Sequence, residues 1–328
     1  MAPAHPIHII NPLWNAYGGS ERRVLSLYAL LKDHAKVFLW SGLKPDPRLT
    51  SRYQIHVLRP RLGHFPRRGT FVFVGIYAGI GHWIESTKPH RTIVVINTVQ
   101  PELAERTVDR VAKAGPFPEI VYASEATRVA HRLPGIVEPS PIDVATFTPA
   151  MRAPNARFTV GRLSRDDAAK HHEDDPAFYC RLVEEGCSVR VMGGRVLAGK
   201  VPGGAPSHLE LLPPGAESAP GFLQRLDCFF YRTASDWFET YGRVVFEAMA
   251  CGLPVVASRR GGYADGIADG ENGFLFDRDE EALSIILRLR DDSGLRDRIG
   301  RSARATAERL YAPAALDAIR GFYLRDAT

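Results

Sequence analysis

The stretch DWFETYGRVVFEAMACGLPVVASRRGG, from Asp236 to Gly262, most narrowly limits what this chain can fold into. Trp237 to Gly242 reads as a loop, Arg243 to Cys251 as a short helix, and Gly252 to Pro254 as its stop. Val255 to Ser258, apolar and β-branched, then starts a buried strand. A loop that ends in glycine and feeds a helix leaves free N–H groups at the positive end of the helix dipole, which together make a seat for a phosphate. Glu239 stands just before that seat and Glu247 lies on the helix behind it. Glu247 is surrounded by the apolar residues of FEAMACG, where a carboxylate needs a partner.

The rest of the chain supplies the setting. IHII at 7–10 is a short apolar strand, Gly18 and Gly19 follow in a loop, and ERRVLSLYALLKD repeats apolar residues at helical spacing. This is strand, glycine loop, helix, as in nucleotide folds, but without the G-x-G-x-x-G spacing of the dinucleotide fingerprint. Further strands are expected at KVFLW, FVFVGIY, RTIVVIN and IVYASE, and after residue 153 at RFTVGRL, SVRVMGG, SHLELLPPG, CFFY and PVVAS. Apolar strands without strict alternation, interleaved with helices, predict parallel sheets covered on both faces. PSPIDVATFTPAMRAPNA, rich in proline and alanine, has linker composition and puts a domain boundary near residue 153. The expected domains are 1–153 and 154–310, with 311–328 as a helix crossing back to the first. Ligands of such sheets bind outside the carboxyl ends of the strands, in a cleft between two domains of this kind.

Composition narrows the function. The formal net charge is +5, with the basic excess in residues 1–150. It concentrates at Arg59, Arg61, Arg67 and Arg68, in a segment suited to an anionic membrane or a phosphorylated acceptor and equally to a solvated loop. No nucleic-acid motif accompanies it. Four cysteines without paired spacing suggest reduced thiols in a cytoplasmic protein, and the N-terminus reads as a first strand and not as a signal peptide.

Arg162, Arg165 and Lys170, in the loop after RFTVG, are cations suited to a diphosphate. Taken with GGSERRVLSLYALL, VEPSPIDVATFTP, VGRL followed by Lys170, FETYGRVVFEAMACGLPVVAS and GGYADGIADGENGFLF, they make the chain resemble the retaining glycosyltransferases of family 4. That resemblance implies the α/β GT-B architecture, two Rossmann-like domains whose parallel sheets face each other across a deep cleft. The C-terminal domain would bind a nucleotide-diphosphate sugar, UDP- or GDP-linked, and the N-terminal domain a glycan, lipid-linked or other hydroxyl acceptor. It further implies that Arg162 and Lys170 hold the diphosphate, Glu239 the donor sugar and Glu247 the ribose. Gly18 and Gly19 would lie against the phosphates near the amides of Thr240, Tyr241 and Gly242, while the base contacts Gly193, Gly194 and the turn at Pro214. No metal and no cofactor are implied, because the leaving diphosphate itself helps to deprotonate the acceptor. Asp277 and Asp279 form an Asp-x-Asp string, but they precede a helix whose dipole they complement. Two departures stand out: His171 replaces the glycine that usually follows the lysine, and Asn97 and Thr98 stand where a histidine is common. An epimerase or hydrolase on the same fold, and a subunit that binds nucleotide sugar without turnover, are the rival readings.

Overall fold

Strands buried on both faces need mostly apolar side chains, and the runs IHII, TFVFV and TIVVI meet that need in successive strands of one sheet, with buried His8 satisfied by the Arg68 carbonyl and the Trp40 indole. The structure, a computed structural model, describes residues 5–75, 80–150 and 157–325. Packing divides the chain into two units, Met1–Pro141 with Pro313–Thr328, and Ile142–Ala312.

The first unit is built on a parallel sheet of β1 (Ile7–Ile10), β2 (Val37–Ser41), β3 (Ile55–Val57), β4 (Arg68–Val74), β5 (Lys88–Ile96), β6 (Glu119–Tyr122) and β7 (Ile136–Val137). Its order is β3-β2-β1-β4-β5-β6-β7. Side chains alternate between the two faces, as the strand period of two requires. Val72 and Val74 join one core with Val24 and Leu27 of helix Gly19–Leu31. Phe71 and Phe73 join another with Val108 and Val111 of helix Pro101–Ala112. β3 and β7 do not stand out in the sequence, because edge strands of three and two residues carry too little pattern.

The second unit repeats the plan with β8 (Thr159–Leu163), β9 (Ser188–Met192), β10 (Leu209–Leu212), β11 (Cys228–Tyr231), β12 (Val255–Ser258) and β13 (Phe274–Phe276). The order is β10-β9-β8-β11-β12-β13, all parallel. Phe229 and Tyr231 face the core that contains helix Arg243–Ala250, and Cys228 and Phe230 face the opposite one.

The proline-rich segment is more structured than its composition suggests. Ile142 and Phe147 are buried in the second unit's core. One nitrogen of Arg304, Nη1, donates to the carbonyl oxygens of Phe147 at 2.6 Å, Ala250 at 2.5 Å and Val144 at 3.1 Å. Residues 142–150 therefore pack with the second unit, and residue 153 lies outside the described residues. No helix among the described residues is long and apolar enough to cross a membrane.

Helix Pro313–Leu324 packs with the first unit, where Ile319 and Tyr323 join the core of helix Gly19–Leu31. Beneath it, Glu138 accepts from Arg23 at 2.8 Å and from the Tyr323 hydroxyl at 3.0 Å, and both members of the ion pair are almost wholly buried. Burial holds the Glu138 carboxyl above the usual carboxylate range, against the pull of Arg23 and Tyr323. Removing one member of such a pair leaves a buried charge uncompensated. Arg23→Met is expected to destabilise the fold by roughly 3–5 kcal/mol at pH 8, and by less at pH 5, because a raised carboxyl loses its charge more readily as pH falls. Thermal unfolding at the two pH values measures this, and an unchanged transition at pH 8 would contradict it.

Candidate functional site

In a parallel sheet that grows outward from its middle, the loops after the two central strands leave in opposite directions and open a crevice at the carboxyl end. In the second unit that point lies between β8 and β11. The loop after β8 carries Arg165 and the short turn Ala168–Lys170, and the loop after β11 carries Glu239 and leads to helix Arg243–Ala250.

The two loops meet through one contact. Lys170 Nζ donates to Glu239 Oε2 at 2.6 Å, and the same oxygen accepts from the Tyr231 hydroxyl at 2.8 Å. Burial alone would raise the Glu239 carboxyl. The charge and hydrogen bond of Lys170, with help from Tyr231 and Arg165, outweigh it and hold the group below its ordinary range. Burial pushes the Tyr231 phenol well above its ordinary value, and the neighbouring Glu239 charge adds to that, so Tyr231 stays a donor. The ammonium of Lys170 also lies 5.0 Å from the centre of the Trp237 ring.

Arg162 is placed differently. Its residue is only 1% exposed, its guanidinium lies 4.7 Å from the centre of the Tyr231 ring, and Asp175 is 3.8 Å away. None of its three nitrogens has a hydrogen-bond partner among the described residues, so it acts as a buried positive charge beneath Tyr231. Arg165, with its side chain 28% exposed, is the arginine whose charge reaches the Lys170–Glu239 pair.

Gly242 is the N-cap of helix Arg243–Ala250, and its φ of 70° turns the chain into the helix. A β-carbon there would come within 2.5 Å of the Tyr263 ring, so only glycine fits both the space and the backbone. Thr240 and Tyr241 precede it, and the Tyr241 hydroxyl is hydrogen-bonded to that of Tyr311. Glu247, one turn into the helix, accepts from Arg243 Nε at 2.8 Å. The partner its apolar surroundings demand is thus its neighbour four residues back.

The loop of Lys170 is tied to the next strand end. Neutral His171 donates from Nε2 to the Gly193 carbonyl at 2.8 Å. Burial, with the charge of Arg162, lowers its pKa to about 3, so its 3.9 Å approach to Asp175 is no ion pair. Gly193 has a φ of 85°, and a β-carbon on it would strike the Ser164 carbonyl. The amides of Gly193 and Gly194 both donate to the Leu212 carbonyl, which places them beside the turn that contains Pro214.

Lys170, Glu239, Tyr231, Arg165 and the amino end of helix Arg243–Ala250 therefore converge, with Gly193, Gly194 and Pro214 along the same sheet edge. Gly18 and Gly19 belong to the first unit. Gly18 is the N-cap of helix Gly19–Leu31, with the Glu21 carboxylate folded over its α-carbon, while Gly19 faces open space. Asn97, at the end of β5, donates to the Ser20 hydroxyl in the first turn of that helix.

Tyr231, Asp175 and Arg232 are not evident as site residues in the sequence. Asp175 has no exposed surface and accepts from Arg232 Nε at 2.6 Å and the His172 amide at 3.0 Å. Within RLSRDDAAKHHEDD it looks like one more solvated charge at a helix start. Tyr231 closes the strand CFFY, and its place at a carboxyl end is the one signal that marks it. Asp279 is bonded to Arg232, and Asp277 to Arg259 at 3.2 Å. No group of three His, Cys, Asp or Glu among the described residues is placed to hold a metal ion. A concavity of about 700 Å³ lies at the other end of the sheet, beside Phe158, Asp227 and Pro254, which precede their strands. It includes neither Lys170 nor Glu239.

Residues 211–306 match the family described as glycosyl transferases group 1. A D-inositol 3-phosphate glycosyltransferase of Thermomonospora curvata is 37% identical over 169 residues, 48% of this chain and 37% of that protein. The chain spans well under two thirds of the length of the curated relatives it matches. Anabaena HepE, solved in complex with UDP-glucose, is similar with a TM-score of 0.73 at 15% identity, over 98% of both chains. Sucrose-phosphate synthase from Thermosynechococcus elongatus has a TM-score of 0.78 at 17% identity, over 97% of this chain and 98% of that one. These likenesses identify the fold as GT-B, two Rossmann-like units each on a parallel sheet.

With Lys170 gone, nothing of comparable strength opposes the burial of Glu239. Lys170→Met should move the Glu239 carboxyl from below its ordinary value to above it. In the wild type, a depressed folded pKa contributes stability above the unfolded value of about 4.3, lost as pH falls through the folded one; in the variant that contribution reverses sign. Titration of the ¹³C-labelled carboxyl reads the change, and a group that stays depressed would contradict the assignment.

Proposed function

We propose that this chain, with its group 1 glycosyl transferase segment, transfers a hexosyl group from a nucleoside-diphosphate sugar to an acceptor hydroxyl with retention of anomeric configuration. The observation that carries the reading is the Lys170–Glu239 contact at the switch point, beside the amino end of helix Arg243–Ala250, whose N-cap is a glycine. That helix end offers backbone N–H donors and the positive pole of a dipole, and Lys170 and Arg165 add two cations. A diphosphate satisfies all of them. Once it takes Lys170, Glu239 is released from its ion pair to accept from sugar hydroxyls. Glu247 would accept from the ribose, and Gly193, Gly194 and Pro214 would border the base.

In the proposed reaction the bond between the anomeric carbon and the diphosphate oxygen breaks, and the acceptor oxygen bonds to that carbon on the same face. The acceptor proton passes to the leaving diphosphate, so no protein base and no metal is called for. The protein's part is electrostatic stabilisation of the departing diphosphate by Lys170, Arg165 and the helix amides, with the Arg162 charge acting from below. The acceptor is bound by the first unit. Arg59, Arg61, Arg67 and Arg68, all exposed and in no ion pair among the described residues, suit a peripheral contact with an anionic membrane.

UDP is the first nucleotide to test, because HepE was solved with UDP-glucose. A nucleoside diphosphate that binds the folded state raises the unfolding temperature by linkage, and UDP or GDP should do so. Turnover of the matching donor should survive chelator and fall by about 10²–10³ in Lys170→Ala, the loss typical of removing one preorganised donor. A strict Mg²⁺ requirement, or near-normal turnover in the variant, would overturn the mechanism.

A further inference from the structure

The first unit has its own switch point, between β1 and β4, and the loop that leaves it after β1 is held in an unusual way. Leu13, with a φ of 50°, is the one non-glycine residue with positive φ among the described residues. That conformation is unfavourable for a residue with a β-carbon and persists only where the surroundings impose it. Here they do so from three sides. The Asn11 side chain accepts from the Leu13 amide at 2.8 Å and donates to the Val74 carbonyl at 2.8 Å. Ser41 Oγ lies 2.5 Å from the Pro12 carbonyl and 2.7 Å from that of Leu43. The Asp46 amide donates to the Leu13 carbonyl at 2.8 Å, and its carboxylate accepts from the Ala16 amide at 3.0 Å.

The consequence is a division between two large apolar neighbours. Leu13 is wholly buried, whereas Trp14 is 58% exposed, and Leu43, on the adjoining loop, is 50% exposed. The Trp14 indole makes no ring contact and no hydrogen bond among the described residues. A rigid backbone thus holds a large ring out in water at the mouth of the crevice where open α/β sheets bind ligands. An aromatic face fits a ligand with an apolar side and a hydroxylated rim. The C–H face of a pyranose is such a surface.

We propose that Trp14 is a stacking platform for a pyranose ring of the acceptor. This deepens the transferase reading and rests on it for the word acceptor, while the platform itself rests on the loop. An anionic lipid surface fits less well, because Asp46 places a carboxylate in the same loop contact.

The test uses the full chain labelled with ¹⁵N at its tryptophan indoles, with the Trp14 signal assigned by Trp14→Phe. Methyl glucopyranoside, methyl galactopyranoside, methyl mannopyranoside and maltose are titrated in turn. At least one should shift the Trp14 signal saturably. Trp14→Ala, followed by calorimetry, should weaken that binding at least about tenfold, and Trp14→Phe should largely retain it. The thermal shift produced by UDP should be the same in all three proteins. A UDP-binding protein whose Trp14 signal none of these sugars moves would overturn the platform, as would a signal that moves only with phosphatidylglycerol vesicles. A Trp14 signal that responds to sugar in a protein stabilised by neither UDP nor GDP would remove the transferase reading and leave the platform standing.

Discussion

The contact between Lys170 and Glu239 holds together the carboxyl ends of the two central strands of the second unit. Both groups lie on loops, and each loop is fixed from behind by a different part of the fold. The lysine loop is anchored through His171 to Gly193, and the glutamate by Tyr231 and by a backbone hydrogen bond from Gly262 to its own carbonyl. A cation and a carboxylate drawn largely out of water each offset part of the other's desolvation cost. The pair is therefore a poised element: a multivalent anion beside it competes for the lysine, and the carboxylate then needs a new donor.

Buried charges below tie the neighbouring strand ends together. Arg162 sits under the Tyr231 ring, Asp175 faces it, and Arg232 bridges Asp175 to Asp279. Taken singly, such residues would be costly to bury. As a chain of alternating sign they tie the ends of β8 and β11 to the helix starts at Asp175 and Asp279. Neutral His171 fits this scheme, since a second cation next to Arg162 would be repelled.

Much of this was legible in the sequence because the elements are short, apolar and separated by glycine or proline. The run through CGLPVVAS marks the helix stop and the next strand, and the phosphate seat follows from Gly242 and the helix behind it. Lys170 and Glu239 were both recognisable, but their mutual contact was not, because 69 residues separate them. Asp175 looked solvated since a charge-rich segment does not reveal which of its members turns inward. Arg162 reads in the sequence as a loop cation suited to a diphosphate, although strand β8 carries it inward. The proline-rich stretch concealed Ile142 and Phe147, two apolar anchors that bind it to the second unit's core.

The two units use their switch points differently. In the second the crevice is lined by charge and helix amides; in the first it displays an aromatic ring on a strained, over-determined loop. That division suits a reaction in which one substrate is a polyanion and the other a neutral sugar. The account depends most on the claim that the Lys170–Glu239 pair opens to admit a diphosphate. Calorimetric titration of UDP, or of GDP if that is the nucleotide bound, into wild type and Glu239→Gln tests it directly. Removing the competing carboxylate should tighten binding of the sugar-free nucleotide, whereas equal or weaker binding in Glu239→Gln would contradict the account.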